Sequence, residues 1–395
     1  MRLCFLSFLL LVGVKISSAQ PVLVEVGSIV FQIDTGVEAS FPCLLTEAGN
    51  LNIINGSETL SFLKADDHAW VYPIFDGRIE GEWVTPSGDT LFKGHWIDLL
   101  RSTAYRIPLS ILRKGMTYPA NDVLPAQHWD FAMGPDAHTG TLIFTQPQPL
   151  LAKPVQASIL TASGDYRYLS GSFAQQSLKL STFDGAHLYH FDGRLTPEGA
   201  LSGTFYSGNH FQSQWTAQPV EDLFGAHIPV IIGEQLPPAL LMTLGRDGEP
   251  VPLDLGASTH ALTILDITAT WCPNCLDASR LLQELTEGKA ETIRCINLAF
   301  ERNATKDPAG AWDRIDRYRG QIHPDAIWAL GGDASKSSAS QLLSFLPPIT
   351  SFPTVVFIPR NGLPEVYSGF HGPATGEAHQ LQRAIFQEVI TRLSH

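Results

Sequence analysis

The sequence predicts an α/β domain at the C-terminus, preceded by an all-β N-terminal region built as an antiparallel meander or barrel-like sheet. Three observations carry that expectation. From Val24 to about Trp215 the chain runs in short β-branched and aromatic stretches broken by Gly, Asn, Asp and Thr, with no helical spacing. From Leu262 onward, strand-like runs alternate with segments of 3.6-residue periodicity. The junction between the two patterns is abrupt. The apolar run Thr263-Ile-Leu-Asp-Ile-Thr-Ala-Thr ends in Trp271-Cys-Pro-Asn-Cys275, after which Leu276, Leu281, Leu282 and Leu285 fall on one helix face.

The elements follow in chain order. Arg2, an apolar run from Leu3 to Val14 and the small residues Ser17-Ser-Ala19 describe a secretory signal peptide, residues 1–19, cut after Ala19. An uncleaved anchor is the competing reading, but the run is about 12 residues against the roughly 20 that span a bilayer. No later stretch is long enough to cross, so no membrane span is expected after cleavage. The mature chain is expected to be periplasmic or extracellular.

Residues 20–111 read as a β-rich module: Ser28–Ile33, Ala39–Leu45, Leu51–Ile54, Trp70–Trp83, Thr90–Trp96 and Tyr105–Leu109 are strand-like. Leu112–Gln127, with Pro119 and Pro125, reads as a linker. Residues 126–220 form a more regular series, with runs beginning at Trp129, Gly140, Gln156, Tyr166, Leu178, His187, Leu201 and Phe211. That spacing predicts an up-and-down antiparallel meander, either a barrel or a sheet curled on itself. Phe75-Asp-Gly-Arg-Ile echoes Phe191-Asp-Gly-Arg-Leu, a short hint of a diverged repeat. Pro219–Pro238 reads as a second linker. Residues 239–395 carry the α/β pattern: a hairpin around Asp247-Gly248, strands Leu262–Thr268, Thr292–Phe300, Ala326–Leu330, Thr354–Ile358 and Glu365–Tyr367, and helices Pro273–Glu287, Pro308–Tyr318, Ala334–Ser344 and Glu377–Leu393.

The chemistry concentrates on the cysteine pair. Unpaired N–H groups at a helix N-terminus favour an anion, so a thiol there ionises more readily. In Cys-x-x-Cys motifs the first thiol can fall from about 8.5 to about 7 or below. Pro273 suits the first helical position. Cys275 comes about one turn later, within reach of a mixed disulfide on Cys272, which is the layout of dithiol–disulfide exchange. Asp266 sits in an otherwise apolar strand, where a carboxylate is costly unless used. Its functional reading is a proton acceptor for Cys275, with its pKa raised by burial; the plainer one is a structural hydrogen bond. Ser351-Phe-Pro353-Thr precedes a strand, where Pro353 is a candidate cis-proline or an ordinary strand start. Trp271 offers an apolar wall beside the nucleophile or is simply core.

The remaining chemistry-bearing residues point elsewhere or nowhere. A net charge of -13 argues against nucleic acid and anionic membranes as partners. Cys43 and Cys295 could bridge two domains; the preferred reading is two buried thiols acting as small hydrophobes. His187-x-x-His190 on a strand would point to opposite faces, which suits no metal pair. Asn55-Gly-Ser and Asn303-Ala-Thr are glycosylation sequons, meaningful only in a eukaryote.

The stretches Leu265-Asp-Ile-Thr-Ala-Thr-Trp-Cys-Pro-Asn-Cys275, Asn297-Leu-Ala-Phe-Glu-Arg302, Ser351-Phe-Pro-Thr-Val-Val-Phe-Ile-Pro-Arg-Asn-Gly362 and Ser368-Gly-Phe-His-Gly-Pro-Ala-Thr-Gly-Glu377 together resemble the thioredoxin fold, and more closely the exported TlpA/ResA-type thiol–disulfide oxidoreductases of the redoxin superfamily. The resemblance covers about residues 240–395. It implies Cys272 as nucleophile, Cys275 as resolving thiol, Asp266 as buried acid and Pro353 as a cis-proline facing the pair. Ala334–Ser344 matches the extra helix that such proteins insert, and the segment around Gly164-Asp-Tyr-Arg-Tyr-Leu looks like the β extension that some bacterial members carry. Many members place Pro second between the cysteines, whereas here Pro comes first and Asn follows. That dipeptide bears on the redox potential and so on the direction of reaction.

The implied function is a protein-disulfide reductase. It would act on client proteins with disulfides or thiols, be recharged by an upstream electron donor, and need no cofactor beyond its redox-active disulfide. A peroxiredoxin is a weaker alternative, because the positions that would carry its Thr and Pro hold Ala269 and Leu265. A zinc site lacks a second ligand pair, and haem attachment lacks a His after Cys275. The rival from another class is a β-rich binding protein with an accessory thioredoxin domain, supported by a β region of about half the chain.

Overall fold

The computed structural model describes residues 23–394, apart from 85–88, 102–104, 120, 136–137, 146–153, 222–229 and 257–258. The signal peptide expected at residues 1–19 lies outside the described residues. Among the described residues the chain forms a closed eight-stranded barrel, a nine-stranded sheet, a six-stranded sheet, a two-stranded hairpin and four α-helices. None of these helices is long and apolar enough to cross a membrane.

The first barrel runs from Leu23–Asp34 to Tyr105–Leu112, and these two strands pair to close it, Ser28 opposite Leu112 and Phe31 opposite Leu109. Alternation drives it: Phe31, Phe41, Ile53, Phe62, Trp96 and Ile107 point inward and are buried. One of its strands, Glu58–Asp66, is absent from the expected series. Only Leu60 and Phe62 point inward along it, and it ends in exposed Lys64, Ala65 and Asp66, too weak an alternation to register in sequence.

The loop 113–127 leads to the nine-stranded sheet. Its strands His128–Met133 through Phe211–Val220 pair antiparallel, and His138–Phe144 also pairs with Val155–Thr161, with Thr141 opposite Leu160. That last pairing curls the sheet on itself around Trp129, Phe131, Phe144, Phe191 and Trp215. The Phe-Asp-Gly-Arg echo does not carry over to the pairing: Gly77 faces Asp98 in the first barrel, whereas Gly193 faces Gly203 in the second sheet.

The six-stranded sheet has the order Val230–Ile232, Glu365–Ser368, Thr354–Pro359, Leu262–Thr268, Ile293–Glu301, Ile327–Asp333. Leu262–Thr268 is central, parallel to Ile293–Glu301 and antiparallel to Thr354–Pro359. Val230–Ile232, expected to be part of a linker, is the edge strand; its three residues are all exposed, so no buried face marks it in sequence. Helices α1 (Pro273–Thr286) and α4 (Glu377–Leu393) cover one face against Leu262, Ile264, Val355 and Phe357. Helix α3 (Lys336–Leu342) and the hairpin Leu240–Asp254 cover the other, against Leu265, Ile267 and Leu298. Helix α2 (Pro308–Arg319) sets Ile315 and Tyr318 in an apolar cluster that also holds Leu276 of α1 and the core of the first barrel.

Two sequence expectations meet the structure here. Asn55 is 0% exposed, its amide donating to Thr182 Oγ1 at 3.1 Å and its carbonyl accepting from Phe183 N–H at 3.4 Å. It is a buried connector between the two β modules rather than a glycan acceptor. Cys43 is buried in the first barrel, while Cys295 packs at the edge of the α1/α4 core. The two lie in different cores, but Cys295 is only half-buried and lines a cavity of about 470 Å³ beside Gln283, Thr286 and His323.

Candidate functional site

The central strand delivers its C-terminal end, Thr268, to the start of α1. Cys272 is the N-cap and Pro273 occupies the first helical turn, where its missing N–H costs nothing. Cys272 and Cys275 form a disulfide, with Cα atoms 5.2 Å apart. The Cys275 N–H donates to Cys272 Sγ at 3.2 Å, so the helix end directs an orphan donor at the first sulfur. Cys272 is 6% exposed and Cys275 is fully buried.

Each residue singled out from sequence can be placed. The Phe352–Pro353 peptide is cis, and the Phe352 carbonyl oxygen lies 3.7 Å from Cys272 Sγ. Trp271 Nε1 donates to the Phe300 carbonyl at 3.0 Å, and its ring meets Phe352 edge-on with centroids 6.0 Å apart. The ring also meets the Arg302 guanidinium, 5.4 Å from its centroid, which reaches Asp98 of the first barrel at 3.5 Å. Trp271 is therefore a half-buried wall that joins the pair to the first barrel. Asp266 is 1% exposed, and the Ser279 hydroxyl donates to its Oδ2 at 2.6 Å, while Oδ1 has no hydrogen-bond partner among the described residues. Burial pushes this carboxyl up to about 7, against the opposing pull of Ser279. Ser279 follows Cys275 by four residues and so shares its helix face, and Asp266 lies under that face at Ser279, one turn beyond Cys275. All five residues gather at one end of the six-stranded sheet.

Sequence reasoning missed the supports. Glu301, fully buried at the end of its strand, accepts from Thr270 N–H at 2.7 Å and Thr270 Oγ1 at 2.8 Å, and pairs with Arg314 at 3.3 Å. It fixes the loop just before Trp271, and burial raises its pKa. Ser279 was findable from its i+4 spacing to Cys275. A second layer comes from the nine-stranded sheet, whose turn 164–168 lies on the start of α1. Asn274 Nδ2 donates to the Asp165 carbonyl at 3.1 Å, Asp165 Oδ2 accepts from Gly372 N–H at 2.6 Å, and Arg167 reaches α1 with its guanidinium. No local pattern announces these contacts, because they span more than 100 residues of sequence.

No family model matches the sequence, and no curated protein matches it. Among solved structures, the chain is similar to a thiol:disulfide interchange protein of the thioredoxin family from Chlorobium tepidum TLS, at 17% identity over 41% of this chain and 98% of that one, TM-score 0.26. It is also similar to a thioredoxin-like protein from Aeropyrum pernix, at 21% identity over 39% and 88%, TM-score 0.26. A third is a DsbF homologue from Corynebacterium diphtheriae, at 19% identity over 44% and 98%, TM-score 0.26. At TM-scores this far under 0.5 the likeness decides neither fold nor chemistry.

Proposed function

We propose that this chain is an exported thiol–disulfide oxidoreductase with a thioredoxin-like C-terminal domain of the TlpA/ResA type, working as a disulfide reductase on client proteins in the periplasm or outside the cell. The observation that carries the reading is the Cys272–Cys275 disulfide on the first turn of α1, with the buried Asp266 under the same helix face. In the reduced enzyme the Cys272 thiolate attacks a client disulfide, forming a mixed disulfide and releasing one client thiolate. Cys275, deprotonated with Asp266 as acceptor, attacks Cys272 Sγ. The second client thiolate leaves, and the enzyme pair is left oxidised by two electrons. An upstream dithiol donor restores it by the same exchange in reverse, and no cofactor enters. Trp271 and the Phe352–Pro353 segment border the first sulfur, where a client chain would lie. The modules at 20–111 and 126–220 belong to the proposal as the parts that dock a client or orient the redox domain at 239–395.

The test is reduction of insulin disulfides by the full mature chain with a chemical dithiol as donor. Cys272→Ser is expected to abolish turnover, and Cys275→Ser to accumulate a mixed disulfide with the client. A wild-type chain whose pair is reduced by the donor yet leaves insulin intact would sink the reductase reading and favour the β-rich binder. The potential of the pair sets the direction: near about -270 mV it reduces clients, near about -120 mV it oxidises them.

A further inference from the structure

Arg167 lies on the turn of the nine-stranded sheet that faces α1, far in sequence from the cysteines. Its side chain is 3% exposed. Its φ is 53°, in the left-handed region that a non-glycine residue adopts only when the surroundings hold it there. Asp165 Oδ1 accepts from the Arg167 N–H at 2.6 Å and supports that turn. The guanidinium spans three parts of the molecule. Nη1 donates to the carbonyl of Pro273, the residue after Cys272, at 2.7 Å, and lies 3.0 Å from Asp277 Oδ2 on the same helix. Nη2 donates to Glu58 of the first barrel at 2.7 Å.

A cation at a helix N-terminus is ordinarily unfavourable, because the helix end is itself positive. The cation here is held by carboxylates on every element around it: Glu58 from the first barrel, Asp165 from its own turn, Asp184 from the neighbouring turn and Asp277 from α1. Arg280 of α1 adds a second cation, 3.9 Å from both Glu58 and Asp277. Burial pushes the Asp277 carboxyl up to about 7, against the pull of Arg167. Four carboxylates and two guanidiniums are thus gathered around the first turn of the helix that begins at Cys272, whose sulfur becomes an anion when the pair is reduced.

We propose that Arg167 is a positioning residue of the redox centre, which holds the first turn of α1 by the Pro273 carbonyl and Asp277 and sets, by its charge, how readily the Cys272–Cys275 pair is reduced. The inference rests on the redox reading of that pair and deepens it: the β modules are part of the site's electrostatics. Stabilising the Cys272 thiolate favours the dithiol, and withdrawing the stabilising charge favours the disulfide.

The experiment uses the full mature chain, equilibrated in glutathione buffers, with the fraction of oxidised pair read by thiol alkylation. Arg167→Met keeps the bulk and removes the cation, so the disulfide should be favoured by about threefold to tenfold, the size of a partly screened single charge. Tenfold is about 30 mV for this two-electron couple. Glu58→Gln breaks the same ion pair from the other side and leaves Arg167 less neutralised, so the shift should have the opposite sign. Asp277→Asn should move with Glu58→Gln, and Arg167→Lys should restore most of the wild-type value. If Arg167 were only a structural clamp, Arg167→Met and Glu58→Gln would loosen one contact and shift the equilibrium the same way or not at all. Either result overturns the proposal. Should Arg167→Met fail to fold, the signs of Glu58→Gln and Asp277→Asn still decide, because disfavouring the dithiol in both contradicts it. The measurement needs no client, so an inactive wild type with oppositely shifted variants would end the reductase reading alone. An active wild type with coincident variants would end the Arg167 inference alone.

Discussion

At the scale of the residue, Asp266 carries the clearest linkage between stability and pH. Its folded pKa of about 7 lies above the ordinary carboxylate value of 3.8, because burial penalises the charged form. The folded chain therefore binds more protons than the unfolded chain between those values, and stability falls as pH rises through that window. Asp266→Asn removes the ionisation while keeping an acceptor for Ser279. Denaturant unfolding at pH 5 and pH 8 should show a smaller loss of stability on going to pH 8 in the variant than in the wild type, by about 1–3 kcal/mol. Equal losses in the two proteins would mean that Asp266 is not the titrating group. If Asp266 serves Cys275, the variant should also resolve mixed disulfides more slowly. The inflection near neutral pH in the wild-type rate of that step should disappear. The need for some partner of this carboxylate was readable from sequence, since Asp inside Leu-Asp-Ile-Thr is costly. That the partner is Ser279 depended on how α1 lies on the strand.

At the scale of the element, the start of α1 and the turn 164–168 are fitted to one another. The order Pro273-Asn274 follows from that fit: Asn274 donates across to the Asp165 carbonyl, a contact that a proline at this position could not make. The approach is close enough that a Cβ on Gly164 would stand 2.2 Å from Asn274 Nδ2, and Gly164 has φ 150°, a conformation that L residues rarely adopt. Gly164→Ala should destabilise the chain by about 1–3 kcal/mol in thermal or denaturant unfolding. It should also raise hydrogen exchange in the first turn of α1. Unchanged exchange there would show that the turn does not hold the helix. The helices and central strands of the C-terminal region were legible almost residue by residue, because periodicity reports which face is buried. Glu58–Asp66 and Val230–Ile232 were not, one for want of inward residues and the other for being exposed throughout.

At the scale of the molecule, the two β modules are joined by an aromatic plug. Phe183, on the nine-stranded sheet, is 0% exposed and packs within the first barrel's core, stacked on Phe62 at 6.0 Å, tilted against Phe31 at 4.8 Å and edge-on to Trp96 at 5.3 Å between ring centroids. Asn55 donates to the hydroxyl of the preceding Thr182 and accepts from the backbone N–H of Phe183 itself. Phe183→Ala should cost about 3–5 kcal/mol, the range for a large aromatic removed from a packed site. Limited proteolysis should then cut the loop 113–127 faster than in the wild type. If stability and cleavage both stayed as they are, the modules would not depend on this contact.

The sequence by itself determined the β-to-α/β order, the placing of nearly every strand and helix, and the cysteine pair at a helix start. Each of these is written in local periodicity, capping or spacing, which act over a few residues. Tertiary structure alone decided what surrounds the pair. Arg167, Glu58, Glu301, Ser279 and Phe183 carry no local pattern, and each acquires its partners only when segments tens to more than a hundred residues apart come together. Burial then raises the energetic stake of each such contact, since a charge or hydrogen-bonding group withdrawn from water must find its partner inside the protein. The Cys-Pro-Asn-Cys motif is thus a local feature of the chain, while the charged groups packed on its helix turn come from both β modules.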